Sequence, residues 1–256
     1  MTEHYELSLS KLYYKLCENL VPLMNYAMYD CFGGPHCIPL NWVINSQKCG
    51  TFFFVLFLMI YFQNFSLTMW VYLALHGTYG MIWFFKDTVF PDKGFQQMCT
   101  IGSAIACYVI ILLPYWVSPV LIASGYTQQP PYILIWFAIT LHTLGVMIMM
   151  VSDAQKYYVL KIKKGLITDG MFRYVRHPNY TGEMMIYFSY AVLSMHPLPF
   201  LILLYVWSIV FATRIVYKEQ SMSRHKEWNS YVAETNYLLP IKVIEHFYRD
   251  LHIKYI

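Results

Sequence analysis

Six apolar segments, of which the first and fifth are short, constrain the fold of this chain more than any other feature of its sequence. They lie at 49–63, 66–86, 100–122, 131–151, 182–195 and 197–215. A membrane-spanning helix needs about 20 mostly apolar residues. Only 12% of the residues are charged, whereas a soluble globular domain averages about 25%. The sequence therefore predicts an all-α fold, a polytopic membrane helix bundle with about six spans.

Basic residues alternate between the connections of these segments. The connection between the fourth and fifth segments and both terminal regions are basic, whereas the connections at 63–65, 124–132 and 196–199 contain no Lys or Arg. By the positive-inside rule, this alternation predicts that both termini lie on the positive-inside side of the membrane. The charge bias is also compatible with the mitochondrial inner membrane.

Amphipathic patterns flank the apolar segments at both ends of the chain. Leu9, Leu12, Tyr13, Leu16 and Leu20 follow helical spacing, which predicts a helix lying on the membrane surface. A helix packed against the bundle fits the same spacing. Apolar residues spaced among charges after position 240 predict a second surface helix. We therefore expect an N-terminal surface segment at 1–48, a transmembrane domain at 49–240 and a surface tail at 241–256.

The densest set of polar side chains lies between the fourth and fifth apolar segments, in the sequence GLITDGMFRYVRHPNYTGE at 165–183. His177 precedes a proline and is disfavoured from helix, whereas Pro178 suits the first turn of a new one. Free N–H groups at that helix start, beside Arg173 and Arg176, favour an anion. The alternative is that both arginines flank the membrane and that Glu183 pairs with one of them.

Two further polar groups flank this segment. The run SDAQK at 152–156 closes the fourth apolar segment, and its Lys156 could pair with phosphate; anchoring to lipid headgroups is the alternative. Arg214 and Glu219 follow the sixth segment on the same side of the membrane and could complete a pocket. The sequence has no GxGxxG after a strand, no P-loop and no HExxH. Any nucleotide would therefore be bound by the helix bundle and its connections.

Two histidines lie inside apolar segments, where ionisable groups commonly serve a function. His142 fits a neutral imidazole that is hydrogen-bonded to a neighbouring helix. His76 precedes Tyr79 by three residues on the same helical face, with Gly77 and Gly80 beside them. A pair formed by His76 and Tyr79 could donate a proton to a polarised substrate.

The 165–183 segment resembles a motif of one membrane superfamily. That superfamily groups steroid 5-alpha-reductase-like proteins, C14 and C7 sterol reductases, and isoprenylcysteine carboxyl methyltransferases. The shared order is Gly-Leu, then Gly, an aromatic residue, Arg, and Arg-His-Pro-Asn/Ser-Tyr before Gly and an acid. The resemblance covers about 150–240. SDAQK, Asn179 and the ending YVAETNYLLP are more similar to the 5-alpha-reductase-like branch.

The resemblance implies an NADPH site and a reductase of the endoplasmic reticulum acting on a sterol- or lipid-like enone. The candidate cofactor-binding residues are Asp153, Gln155, Lys156, Arg173, Arg176, His177, Asn179, Tyr180, Glu183, Arg214, Glu219 and Tyr231. Residues 1–125 do not match the Glu–Tyr pair of the reductases, so Tyr79 and His76 are the catalytic candidates. The methyltransferase branch holds S-adenosylmethionine in the matching pocket, with acids such as Glu219.

Three functions therefore stay open. The first is an NADPH-dependent membrane reductase, and the second is an S-adenosylmethionine-dependent methyltransferase of a lipid-like or prenylated substrate. The third is a non-catalytic structural subunit of a larger membrane complex, which the unmatched catalytic pair motivates. In each case we expect membrane lipids as partners and no nucleic acid or metal.

Overall fold

The computed structural model describes residues 9–241, and their regular structure is almost entirely helical. The helices are α1 (Leu9–Asn25), α2 (Leu40–Tyr61), α3 (Leu67–Tyr72), α4 (Thr78–Val89), α5 (Ile101–Ala106), α6 (Val117–Ala123), α7 (Tyr132–Ile162), α8 (Pro178–Ser194), α9 (Pro197–Tyr205), α10 (Ala212–Met222) and α11 (Trp228–Glu234). Two short strands, β1 (Ile38–Pro39) and β2 (Met98–Cys99), pair antiparallel with Ile38 opposite Cys99. The predicted all-α class is confirmed.

Turns of π-helix and 3₁₀-helix join several of these helices into longer rods. The π-helical segments are Tyr26–Asp30, Leu73–Gly77, Cys107–Leu112 and Val206–Phe211, and the 3₁₀ segments are Leu113–Trp116 and Gly170–Arg173. Within the described part, four rods are long and apolar enough to cross a membrane: Leu40–Tyr61, Ile101–Ala123, Tyr132–Ile162 and Pro197–Met222. The other two predicted spans coincide with the α3–α4 rod and with α8.

Two helices extend beyond their predicted apolar segments. Helix α2 begins at Leu40, not near 49, and α7 continues to Ile162, so the SDAQK run lies inside α7 and does not close it. Two polar residues at the start of α2 share a distant partner. Asn41 and Asn45 both donate to the Asp87 carboxylate at 2.8 Å. Hydropathy alone does not reveal such partners. It therefore places these polar turns in the connections between the apolar segments and not in helices.

Helix α8 lies against α7 at a very close crossing. It begins at Pro178 with His177 at its N-cap, as predicted. A Cβ added to Gly182 would lie 2.6 Å from the Gly145 carbonyl oxygen, and one added to Gly145 would lie 2.7 Å from the Gly182 carbonyl oxygen. The two backbones therefore touch, because neither glycine has a side chain to hold them apart.

The N-terminal helix α1 packs against the bundle, which is one of the two predicted alternatives. Its Cys17 and Val21 are buried with Val216 of α10. Leu12 and Leu16 remain 58% and 54% exposed, so one face packs on the bundle while another stays apolar and open. The second surface helix, predicted after position 240, lies outside the described residues.

Candidate functional site

A cavity of about 550 Å³ opens at one end of the bundle, between the C-terminal ends of α4, α7 and α10 and the start of α8. Its lining is strongly basic. The cationic lining residues are Lys86, Lys93, Lys156, Lys161, Arg176 and Lys218, and the carboxylates are Asp92 and Asp153. The lining therefore carries an excess of four positive charges. Such a cavity favours an anionic ligand.

Ion pairs organise one side of this cavity. Lys86 Nζ lies 2.6 Å from Asp153 Oδ2, and both side chains are about 95% buried. Lys156 Nζ lies 2.9 Å from Asp92 Oδ2 and 3.2 Å from Asp153 Oδ1. Burial alone would raise the pKa of Asp92, but the charges of Lys156 and Lys218 outweigh it and hold the pKa well below its ordinary value. The Asp92 carboxylate is therefore ionised and neutralises part of the basic lining.

Arg176 and His177 form the opposite wall and share one carboxylate. Arg176 Nε donates to Glu219 Oε1 at 2.7 Å, and His177 Nε2 lies 3.0 Å from the same oxygen. Arg176 Nη1 also donates to the Thr235 carbonyl at 2.7 Å, and its guanidinium lies 4.3 Å from the centre of the Tyr237 ring. Burial lowers the pKa of His177, although its bond to Glu219 opposes the shift. The imidazole is therefore neutral near pH 7.

Backbone pairing explains why the motif adopts this conformation. Val175 and Asn236 form a parallel bridge. Arg176 N donates to the Asn236 carbonyl at 2.9 Å, and His177 N donates to the Tyr237 carbonyl at 3.0 Å. The segment after α11 thus fixes the Arg-His pair before Pro178 starts α8. The Arg-His segment is therefore held in place by the C-terminal part of the 150–240 region.

Two predicted cofactor-binding residues instead brace the connection before the motif. Gln155 Nε2 donates to the Asp169 carbonyl at 2.9 Å, and Gln155 Oε1 accepts from Met171 N at 2.9 Å. The Tyr231 hydroxyl donates to the Phe172 carbonyl at 2.7 Å. Neither side chain lines the cavity. Both side chains instead hydrogen-bond backbone groups of the connection and so fix its conformation.

The remaining candidates divide between the cavity and its surroundings. The predicted residues that line the cavity are Asp153, Lys156, Arg176, His177 and Asn179. Five others lie outside the lining: Arg173 is exposed, Tyr180 packs on Phe211, Arg214 bonds to Asn25, Glu219 holds Arg176 from behind, and Glu183 lies farther along α8.

A second polar group lies deeper in the bundle, around Lys48 of α2. Lys48 is buried, and its Nζ donates to the Tyr187 hydroxyl at 2.7 Å and to the Tyr79 hydroxyl at 3.1 Å. It also lies 3.8 Å from the centre of the Trp83 ring. Gly80 makes this possible, because a Cβ there would collide with the Lys48 carbonyl oxygen. We call Lys48, Tyr79 and Tyr187 the Lys48 cluster.

His76 belongs to a neighbouring set of rings and is not bonded to Tyr79 in the described structure. Its Nδ1 lies 2.9 Å from the Tyr72 hydroxyl, and its ring stacks on Tyr190 with centroids 4.1 Å apart. Tyr190 in turn bonds to His142 Nε2 at 3.1 Å. The predicted role of His142, a hydrogen bond to a neighbouring helix, is confirmed. Of the two catalytic candidates, Tyr79 contacts a cation and His76 contacts phenols.

Several residues of both polar groups were not predicted from the sequence. Lys48 and Lys86 read as flanks of apolar segments, yet both are buried inside helices. Tyr187 was not singled out, although it continues a four-residue spacing that begins with Asn179 and Glu183. That spacing places all three on one face of α8 and is the signal that could have identified it.

The fold and the cavity define an integral membrane protein with a basic pocket at one end of an all-α bundle. A family model described as "Protein of unknown function (DUF1295)" matches residues 91–235. The chain belongs to this family, the family of steroid 5-alpha-reductase-like proteins. The matched range includes most of the cavity lining, whereas Lys48, His76 and Tyr79 precede it. Comparisons with curated proteins and with solved structures gave no match.

Proposed function

We propose that this protein is a membrane-embedded reductase that binds NADPH in the basic cavity and reduces a sterol- or lipid-like enone. The observation that carries the proposal is the excess of positive charge in a cavity walled by the family's Arg-His-Pro segment. NADPH carries a diphosphate and a phosphate monoester, and Lys and Arg are the side chains that bind such groups. When bound, NADPH supplies a hydride.

The residues present fit such a cofactor. The cavity volume of about 550 Å³ lies within the usual range for small-molecule and cofactor sites, about 300–1,000 Å³. Lys93, Lys161 and Lys218 would hold the phosphates, because Lys86 and Lys156 are already paired with carboxylates. Asn179, whose side chain lines the cavity, would hydrogen-bond a polar edge of the cofactor.

Electrostatics favour this proposal over the methyltransferase alternative. S-adenosylmethionine carries a sulfonium cation, and adding a cation to a lining with surplus positive charge is unfavourable. The neutral imidazole of His177 does not offset that surplus, and Glu219 is already shared by Arg176 and His177. A polyanionic dinucleotide instead neutralises the lining.

The test is cofactor binding to the purified full chain in detergent, measured by calorimetry at two salt concentrations. Lys218→Met should weaken NADPH binding at least about tenfold, as expected for loss of a hydrogen bond to a charged group. The matched control is Lys163→Met, because Lys163 is exposed and does not line the cavity. Added salt should weaken binding in the unmodified protein.

Two outcomes would overturn the proposal. Binding of S-adenosylmethionine without NADPH would favour the methyltransferase. Binding of neither cofactor, together with co-purification in a large complex, would favour a structural subunit.

A further inference from the structure

Helix α1 exposes a stripe of leucines that the proposed cofactor site does not use. Leu12, Leu16 and Leu23 are 58%, 54% and 61% exposed. They are four and seven residues apart, so they lie on one side of the helix. Among the described helices, α1 is not one of the rods that can cross a membrane, so a transmembrane position does not explain this exposure. A contiguous apolar surface commonly marks an interaction site.

The rest of α1 divides into two further faces. Cys17 and Val21 are buried with Val216 of α10, so one face packs on the bundle. The third face is polar, and its exposed residues are Lys11, Lys15, Glu18 and Asn19. A helix with one face toward protein, one apolar face and one polar face suits the plane of a membrane surface beside a helix bundle.

The depth of α1 in the bundle agrees with such a position. It contacts α10 at Val216, in the membrane-crossing rod Pro197–Met222. At 1.5 Å per residue, Val216 lies about 28 Å along this rod from Pro197, and the hydrocarbon core of a bilayer is about 30 Å thick. The connection at 196–199 has no Lys or Arg, so the opposite end of the rod is the predicted positive-inside end. Helix α1 therefore lies where the rod leaves the hydrocarbon core on that side.

Two lysines border the leucine stripe. Lys11 and Lys15 each precede a leucine of the stripe by one position and lie one turn apart. The stem of a lysine can cover apolar surface while its ammonium group reaches the headgroups. The acid of this face, Glu18, instead accepts a hydrogen bond from Gln220 Nε2 of α10 at 2.9 Å. The border of the stripe is therefore basic, which complements an anionic leaflet.

We propose that α1 docks on the membrane leaflet of the positive-inside side and that its partner is anionic phospholipid. The three leucines of the stripe insert among the acyl chains. Lys11 and Lys15 pair with the phosphates and other anionic groups of the lipids. This docking does not depend on the proposed cofactor or reaction.

Helix α10 links the docked helix to the cavity. The Tyr13 hydroxyl donates to the Ser208 carbonyl of the same rod, and Glu18 bonds to Gln220. Three residues of α10 line the cavity: Lys218, Ser221 and Met222. Lipid that holds α1 in place therefore also holds the helix that forms one wall of the cavity.

The test is hydrogen exchange of the α1 backbone amides in the full chain, measured by mass spectrometry in lipid nanodiscs. Discs of phosphatidylcholine are compared with discs that also contain phosphatidylserine. The anionic lipid should slow α1 exchange roughly 25-fold, about fivefold for each lysine. The double variant Lys11→Gln with Lys15→Gln should lose this difference. Lys163→Gln with Lys164→Gln is the matched control, because both lysines are exposed outside α1, and it should keep the difference.

A second pair of variants tests the leucine stripe. Leu16→Glu should speed α1 exchange at least about tenfold in both kinds of disc, because a carboxylate is costly to place among acyl chains. Asn19→Glu adds the same charge to the polar face and should change exchange less than twofold. Equal effects of these two variants would overturn the proposal. So would α1 exchange that is slow but independent of lipid charge, the result expected if a second copy of the chain covers the stripe.

Discussion

The basic cavity and the Lys48 cluster both bury lysines, but they treat the charge differently. At the cavity, Lys86 and Lys156 are paired with Asp153 and Asp92 at 2.6 and 2.9 Å. In the cluster, Lys48 bonds to two phenols. A buried ion pair resists loss of either partner but contributes little net stability. The difference teaches that this bundle buries lysines in two ways, with carboxylate partners at the cavity and with phenol partners in the cluster.

The same two regions differ in their relation to the family. The match over 91–235 includes most of the cavity lining, whereas Lys48 and Tyr79 lie before it. Only Tyr187 of the cluster falls inside. The cavity therefore lies mostly within the family match, and the cluster joins the matched region to helices outside it. Variants that alter one region and leave the other intact can test whether the two regions differ in this way.

The largest effect is expected at Glu219, which holds both Arg176 and His177. Glu219→Leu leaves the buried guanidinium without its carboxylate and should lower the free energy of unfolding by about 3–5 kcal/mol. Chemical unfolding in detergent measures the change. The double variant Arg176→Met with Glu219→Leu should recover much of the loss. A change below about 0.5 kcal/mol in the single variant would show that the pair is not structural.

A second test removes one partner of the ion pair formed by Lys86 and Asp153. Asp153→Leu should cost about 3 kcal/mol, near the lower end for a buried pair, because Lys156 retains Asp92. Adding Lys86→Met should restore most of the stability, as measured in a double-mutant cycle. If the two single changes simply add, the lysines at the cavity are no more paired than Lys48, and the contrast between the regions fails.

Gly80 offers a smaller change, confined to the cluster side. Its missing Cβ lets α4 touch the α2 backbone at Lys48. Gly80→Ala forces these backbones apart and should cost about 1–3 kcal/mol, as overpacking does. It should leave NADPH binding unchanged, because Gly80 does not line the cavity. Gly50→Ala is the matched control, because nothing lies within 4 Å of its added Cβ. Equal stability of the two variants would contradict the close contact.

Much of the fold could be predicted from the sequence, because apolar length and helix-start signals are local. Pro178 at the first turn of α8 and the glycine turns at Gly165 and Gly170, both with positive φ, follow from residue type alone. The ends of α2 and α7 could not be predicted in this way. Their polar turns are stable because of partners such as Asp87, far away in sequence.

The candidate site was predicted only in part, for the same reason. The motif correctly placed Arg176, His177 and Asn179 on one cavity. It could not show that Gln155 and Tyr231 brace a connection, since that depends on backbone carbonyls brought close by folding. Side chains that meet across helices, such as Lys48 and Tyr187, are 139 positions apart. Helical spacing predicts a face but not what lies opposite.

The smallest effect concerns pH and the neutral His177 on the cavity wall. Burial holds its folded-state pKa below the ordinary value, which is about 6.5. On unfolding, the imidazole regains its ordinary pKa, so the unfolded state binds more protons below that pH. The His177 contribution to stability is therefore complete above about pH 6.5 and decreases as the pH falls through that value.

His177→Gln, which keeps a donor for Glu219, should reduce this pH dependence while leaving stability near pH 7.5 almost unchanged. Thermal unfolding at pH 7.5 and at pH 5.5, compared between the two proteins, measures the difference. His225 lines the same cavity but is exposed, so His225→Gln is the control and should leave the pH dependence as it is. A steeper fall in stability for His177→Gln would mean that the imidazole is charged in the folded protein. Glu219 would then hold two cations, and the cavity wall would rely on charge pairing even more than the ion pairs of Lys86 and Lys156.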